Sequence, residues 1–309
     1  MKTVINPSYD FLSGFIHSVA MRFETEGEVI YSGRNILKRF EVEGTSLVVK
    51  SFKRPHIVNK IAYTFFRKSK ACRSYEHGME ILKRGGCTPA PIAYIEEYKG
   101  GLINRSFYIC LYFDEAETIR PYVDGVKRDT DNILKSFAHF TADLHKQGIL
   151  HIDFSPGNIL FEKDSNGNYQ FSLIDINRLC FRELSKKEAY QNFSRLSFTE
   201  AISTELACWY AEYRDWNKEE AVKEINRYSD DFFLKYTFRL VGKRLKEEKG
   251  LFFTLFGPLQ IYLFLRWIRT HFLKGAKSGC IYEKERELYF HYIKEMDIRK
   301  VLERSRCYE

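Results

Sequence analysis

His151-Ile152-Asp153-Phe154-Ser155-Pro156-Gly157-Asn158-Ile159-Leu160-Phe161 and, after a polar turn, Phe171-Ser172-Leu173-Ile174-Asp175-Ile176-Asn177 decide how this chain is read. Ile159 to Phe161 is a short apolar run, Asp164 to Asn168 is dense in turn formers with Asn166-Gly167 at its centre, and Phe171 to Ile174 resumes as a strand. That pattern predicts a β-hairpin. Asn158 stands at its entrance and Asp175 at its exit. The two ends of a hairpin lie side by side, so an amide oxygen and a carboxylate placed there can share a hard cation such as Mg²⁺.

Phosphoryl transfer to a hydroxyl needs a carboxylate to accept the hydroxyl proton, an amide oxygen on a metal ion and a second carboxylate on the metal. Asp153, Asn158 and Asp175 supply these in that order. The chain has 13 Asp and 12 Asn, so an Asp-x-x-x-x-Asn pair arises by chance about half a time in a sequence of this length. A His two residues before the Asp lowers that to about one in a hundred, and the hairpin lowers it further. The plain alternative is a surface hairpin with incidental acids.

At 309 residues and 36.6 kDa the chain suits two lobes or one large domain. Charged residues at 29% and apolar ones at 44%, without low-complexity tracts or repeats, argue against extensive disorder. The 7 cysteines are widely spaced and include no Cys-x-x-Cys pair, which fits a reducing compartment and argues against a structural zinc. The first residues lack an apolar core of signal-peptide length, so the expected location is the cytosol.

The net charge of +8 is unevenly spread. Between Gly44 and Tyr75 stand Lys50, Lys53, Arg54, Lys60, Arg67, Lys68, Lys70 and Arg73, with no Asp or Glu. Such a block can neutralise phosphates, a nucleic acid or an anionic membrane leaflet, or can simply be a solvated face. Tyr63, Phe65 and Phe66 lie inside it, and aromatics beside cations suit a membrane surface or nucleic acid as well as a small core.

Residues 22–52 read as a strand-rich opening, with Ser46 to Phe52 its clearest strand and Lys50 at the end of its apolar stretch. A lysine there can reach nucleotide phosphates if an acid holds it. Ser69 to Arg84 reads as a helix with Cys72, Tyr75, Met79 and Leu82 on one face, and Glu76 beside that face is preferred to Glu80 as the partner of Lys50. Gly85-Gly86 ends the helix. Thr88-Pro89-Ala90-Pro91 leads into a strand at 92–96, and a second strand at 106–112 runs into an acidic hinge at Phe113-Asp114-Glu115. Asp129-Thr130-Asp131 offers cap chemistry to a core helix bearing Ile133, Phe137 and Leu144. That helix delivers the chain to His151, read as a residue that holds the loop rather than as the base, since Asp153 fills that role. Beyond Arg182 the pattern is helical. Residues 250–265 carry no charge, but Gly257-Pro258 interrupts them; burial is preferred to membrane contact.

In this order Lys50, Glu76, His151, Asp153, Asn158 and Asp175 resemble the protein-kinase-like superfamily, from about residue 25 to at least residue 180. Ser32-Gly33-Arg34-Asn35, Val48 to Lys53, Thr88 to Pro91 and the two segments quoted first look most like the bacterial lipopolysaccharide core kinases. That resemblance implies an α+β bilobal fold, with an antiparallel-sheet, nucleotide-binding lobe at 1–113 and a mainly helical lobe at 114–309. It implies ATP and Mg²⁺, with Gly33, Lys50 and Glu76 on the nucleotide, Asn158 and Asp175 on the metal and Asp153 as catalytic base. The implied acceptor is a Kdo or heptose sugar on a lipid A precursor, met at the cytoplasmic face of the inner membrane; no nucleic acid is expected. Only Gly33 remains of a phosphate-covering glycine loop, Ile152 stands where protein kinases have Arg, and Ile176-Asn177 replaces Phe-Gly. These departures point from a protein acceptor to a sugar. A kinase for another small molecule or a protein, and a membrane- or partner-binding pseudokinase, are the rival readings.

Overall fold

The computed structural model describes residues 1–113, 116–127, 129, 132–197 and 200–232. Strand β1 (Lys2–Ile5) leads through a 3-10 turn at Pro7–Leu12 into helix α1 (Ser13–Thr25). Residues 22–25 are therefore the end of a helix, and the strand-rich opening starts later, with β2 (Glu28–Ser32), β3 (Ile36–Val42) and β4 (Thr45–Ser51). Next come a short helix α2 (Ile57–Ile61), a π-helical turn at Ala62–Phe66, α3 (Lys70–Lys83), β5 (Pro91–Lys99) and β6 (Leu102–Leu111). The strands form one antiparallel sheet in the order β1-β5-β6-β4-β3-β2.

Alternation along β4 sorts its side chains between two faces. Leu47 and Val49 are fully buried against α1, where Phe15, Ile16, Val19 and Phe23 meet Phe40, Ile95 and Phe107. Each such side chain contributes about 1.5–3 kcal/mol by leaving water. Lys50 belongs to the opposite face, where Phe52, Cys72, Tyr75, Tyr94 and Tyr108 form a second cluster under α3.

Helix α3 starts and stops where its sequence says. Ser69 caps it by accepting the Cys72 N–H at 3.1 Å. At the other end Gly85 has φ 80°, the Gly86 N–H reaches Ile81 O at 2.9 Å and the Gly85 N–H reaches Leu82 O at 3.0 Å, a Schellman closure. Its buried face differs from the expected one. Ala71, Cys72, Ser74, Tyr75, Gly78 and Ile81 are buried, whereas Met79 and Leu82 are exposed. At ~100° per residue this turns the buried face by roughly 60° away from Glu76.

Further along lie β7 (Glu117–Thr118), α4 (Arg120–Val123), α5 (Ile133–Lys146), β8 (Ile149–His151), β9 (Ile159–Lys163), β10 (Tyr169–Leu173), β11 (Leu179–Phe181), α6 (Lys186–Asn192) and α7 (Glu200–Arg214), then a helical stretch at 218–232. Asp129 caps α5 by accepting the N–H groups of Ile133 and Leu134 at 2.8 and 3.0 Å. The other cap candidates, Thr130 and Asp131, the hinge residues Asp114 and Glu115, and the uncharged segment 250–265 lie outside the described residues. Among the described residues no helix is long and apolar enough to cross a membrane, and Cys72, Cys87, Cys110, Cys180 and Cys208 are free thiols.

The chain divides into two compact units, Met1–Ile119 with Asp143–Leu184, and Arg120–Ala142 with Ser185–Glu309. The first holds the large sheet, the pair β8-β11 and the small sheet β10-β9-β7. The second is helical where it is described, and its aromatic core sets Tyr190, Phe193, Tyr210 and Trp216 edge to face.

Candidate active site

Strands β9 and β10 pair in register from Ile159 opposite Leu173 to Lys163 opposite Tyr169. Asp164 closes the turn, its carboxylate accepting the N–H groups of Asn166 and Asn168 at 2.9 and 2.8 Å. At the open end the Ile174 N–H donates to Asn158 O at 2.9 Å, so Asn158 and the residue preceding Asp175 are bonded neighbours. The connector after α3 braces this end: Thr88 Oγ1 donates to Leu173 O at 2.7 Å, and the Leu173 N–H donates to Cys87 O at 3.0 Å.

His151, almost fully buried at the end of β8, builds the loop that carries Asp153. Its Nδ1 accepts the Asp153 N–H at 3.1 Å, and its Nε2 lies 3.1 Å from Ile174 O. Burial holds the imidazole below the usual histidine range, against the opposing effects of Ile174 O and the nearby carboxylates of Asp175 and Asp153. Asn158 Nδ2 donates to Asp153 O at 2.9 Å, which leaves Oδ1 as the atom it can offer a cation.

Asp175 has φ 53°, a left-handed conformation that Asp tolerates better than most residues. Its Oδ1 accepts from Lys50 Nζ at 2.5 Å and from Asn177 Nδ2 at 2.7 Å. Burial works to raise this carboxyl, but chiefly the Lys50 charge and hydrogen bond, with the Asn177 amide, outweigh it and hold it below the ordinary range. The turn is tied to α3 by His77, whose Nδ1 lies 2.7 Å from Ile176 O. Gly78 makes that approach feasible: a Cβ there would collide with the Pro91 ring and meet Ile176 Cδ1 at 3.1 Å.

The expected Lys50–Glu76 pair is not formed. Lys50 is committed to Asp175, while Glu76 accepts from Lys68 Nζ at 2.7 and 2.8 Å. The rotation of the buried face of α3 is the physical reason, because it carries Glu76 toward the solvent side where Lys68 waits. Gly33 lies in the turn from β2 to β3, its N–H donating to Asn35 O at 3.1 Å. Asn35 Oδ1 in turn accepts the Lys53 N–H at 3.2 Å, tying this turn to the end of β4.

The structure thus brings Lys50, Asp153, Asn158 and Asp175 into one connected set and leaves Glu76 out of it. Two participants escaped the sequence. Asn177 stood inside a quoted motif, and its i, i−2 spacing to Asp175 was the available signal; His77 had none, being a lone histidine beside an acid. Cations crowd the same region: burial lowers the pKa of Lys70, and the charges of Arg34 and Arg178 lower it further against the pull of Asp175. Arg73 Nε is buried with no hydrogen-bond partner among the described residues. An amide oxygen, a charged carboxylate and a crowd of cations suit Mg²⁺ with phosphates, since Mg²⁺ takes one or two protein oxygens and completes its shell with phosphate and water.

Comparison with known proteins gives a direction. The description "Lipopolysaccharide kinase (Kdo/WaaP) family" matches residues 25–223. A search of curated proteins returns no match. Among solved structures, WaaP in complex with acyl carrier protein is similar with a TM-score of 0.53 at 16% identity, over 75% of this chain and 100% of that one. WbdD, solved with a kinase inhibitor, gives 0.38 at 16% identity over 67% of this chain and 46% of its own, less than half its length. At this identity the WaaP likeness shows the fold, an antiparallel sheet with a helical part in the protein-kinase-like manner.

Proposed function

From a chain that belongs to the lipopolysaccharide kinase (Kdo/WaaP) family, we propose an ATP-dependent phosphotransferase that acts on a sugar hydroxyl of the lipopolysaccharide inner core, Kdo before heptose. The observation that carries this reading is the placement of Asn158 and Asp175 on the bonded ends of one hairpin, with Lys50 on Asp175 and Asp153 on the adjoining loop.

In this reading Asn158 Oδ1 and Asp175 hold Mg²⁺, which when bound shields the charge of the transferring phosphoryl group. Lys50, released toward the phosphates, orients the nucleotide. Asp153 accepts the proton of the sugar hydroxyl, and its position is fixed from both sides by His151 on its N–H and Asn158 on its carbonyl. Arg34, Lys70, Arg73 and Arg178 supply positive potential for a polyphosphate or an acidic sugar. The exposed Ile152, in place of an arginine, favours a small acceptor over control by a phosphorylated loop. With a lipid-borne acceptor, this reading puts the enzyme peripherally on the cytoplasmic face of the inner membrane.

The test is incubation of the purified chain with Mg²⁺, ATP and lipid A carrying both Kdo and heptose, followed by mass spectrometry. One phosphate on Kdo is the expected product. Phosphate on heptose alone redirects the acceptor, and ATP turnover on neither sugar overturns the proposal.

A further inference from the structure

Helix α2 and the π-helical turn after it carry their polarity inside out. Lys60 and Thr64, which a soluble element would expose, serve as the anchors to β6. Lys60 Nζ donates to Asn104 Oδ1 at 3.1 Å, and Thr64 Oγ1, which donates to Lys60 O at 2.7 Å, accepts the Ile103 N–H at 3.0 Å. The apolar side chains face solvent instead. Ile57, Val58, Ile61, Phe65 and Phe66 are all exposed, Val58 at 73% and Phe66 at 85%, and the two phenylalanine rings sit edge to face with centroids 6.4 Å apart. An anchored element that holds five large apolar groups in water needs a cover.

The charges around it name the cover. Lys53, Arg54, Arg67 and Lys68 are exposed beside these side chains, and no Asp or Glu occurs from Thr45 to Tyr75. Among the described residues, Glu76 is the acid paired with one of them, Lys68. A second copy of the chain would set these cations against themselves, since a two-fold interface brings the same patch to both sides. A nucleic acid matches the charge but gains no stacking from Ile57, Val58 and Ile61. An anionic lipid surface satisfies both demands, with aliphatic and Phe side chains at the acyl boundary and Lys and Arg at the headgroups.

We propose that residues 53–68 are a peripheral anchor that docks the sheet-bearing unit on an anionic phospholipid bilayer. The inference deepens the reading of a lipid-borne acceptor, but vesicle binding needs neither ATP nor acceptor, so the two fail separately. The experiment is sedimentation of the full chain with vesicles of phosphatidylglycerol and phosphatidylethanolamine, compared with phosphatidylcholine alone. Wild type is expected to bind the anionic vesicles and to bind phosphatidylcholine weakly. Phe65→Ser/Phe66→Ser, confined to solvent-facing side chains, should lower the partition coefficient at least about tenfold. Arg54→Glu/Arg67→Glu, which keeps every apolar group, should lower it comparably through the lost headgroup attraction. Unchanged binding in either variant, wild-type binding indifferent to lipid charge, or a concentration-dependent dimer abolished by Phe66→Ser overturns the proposal.

Discussion

His151 Nδ1 accepts the Asp153 N–H at 3.1 Å, and this bond fixes the ring as neutral with its proton on Nε2, 3.1 Å from Ile174 O. A protonated ring would turn a donor on a donor at Nδ1 and place a charge among buried groups.

Acid should therefore unfold this protein from an early point. The His151 pKa is held below its unfolded value by burial, and that of His77 likewise. Above about pH 6.5 both states are neutral; as pH falls below that value the unfolded chain takes up protons that the folded chain refuses, and stability declines until the folded pKa is passed. His151→Asn keeps an acceptor near the Nδ1 position without a titrating group. Thermal melts from neutral to mildly acidic pH should show a shallower loss for the variant than for wild type. Parallel curves would show that His151 does not carry the linkage.

Asp175→Asn is expected to fold, since Asn tolerates the left-handed backbone that Asp175 adopts at φ 53°. It leaves the Lys50 ammonium, only 13% exposed, with a neutral partner. Because the carboxylate is itself 35% exposed, the expected cost is discounted to about 1–2 kcal/mol. The lowered Asp175 pKa gives a contribution that is present above the unfolded carboxyl range near 3.9 and lost as pH falls through the folded value. Turnover should fall at least about a hundredfold, with a raised Mg²⁺ requirement. A variant with wild-type Mg²⁺ dependence would remove Asp175 from the metal site.

Lys50 and Glu76 separate the observed geometry from the expected one. If Lys50 works from Asp175, Lys50→Met should cost at least about a hundredfold in turnover, whereas Glu76→Gln, which breaks an exposed pair with Lys68, should cost less than about tenfold and about 0–1 kcal/mol of stability. Equal losses in the two variants would restore Glu76 as the lysine's partner during turnover.

What the sequence disclosed here was local. The Asn166-Gly167 turn announced the hairpin, and with it the neighbourhood of Asn158 and Asp175; Ser69 and Gly85-Gly86 announced both ends of α3. Periodicity misplaces the buried face of α3 because it counts Met79 and Leu82 as core and Gly78 as nothing. In the fold Gly78 is the contact, since it lets backbone approach Pro91 and Ile176. The partner of Lys50 followed that error. Helix α1 carries no motif, although its Phe15, Ile16, Val19 and Phe23 belong to the apolar cluster on one face of the large sheet. The interleaved units depend on contacts distant in sequence, which no local pattern encodes.

The close approach at Gly78 gives a prediction whose sign two effects dispute. In a solvent-facing helix, Gly→Ala stabilises by about 1 kcal/mol through propensity. Here the added Cβ meets the buried Pro91 ring and Ile176 Cδ1, and overpacking of this kind costs about 1–3 kcal/mol. Gly78→Ala should therefore be destabilised on balance, with a lower denaturant midpoint, and Gly78→Val more so. Stabilisation by Ala would show that α3 stands off from the Asp175 turn.

Asp153→Ala tests the chemistry itself. The base role requires a carboxylate at the acceptor hydroxyl, and its removal should lower turnover by about 10²–10⁴-fold. The loop should survive, because His151 and Asn158 grip Asp153 through its backbone N–H and carbonyl, which alanine retains. Nucleotide affinity should then stay within about threefold of wild type, since no nucleotide contact is assigned to this side chain. The diagnostic pattern is loss of kcat with ATP binding and melting temperature preserved. Unchanged kcat would place the base elsewhere, and lost ATP binding would mean that Asp153 supports the nucleotide site rather than the proton transfer.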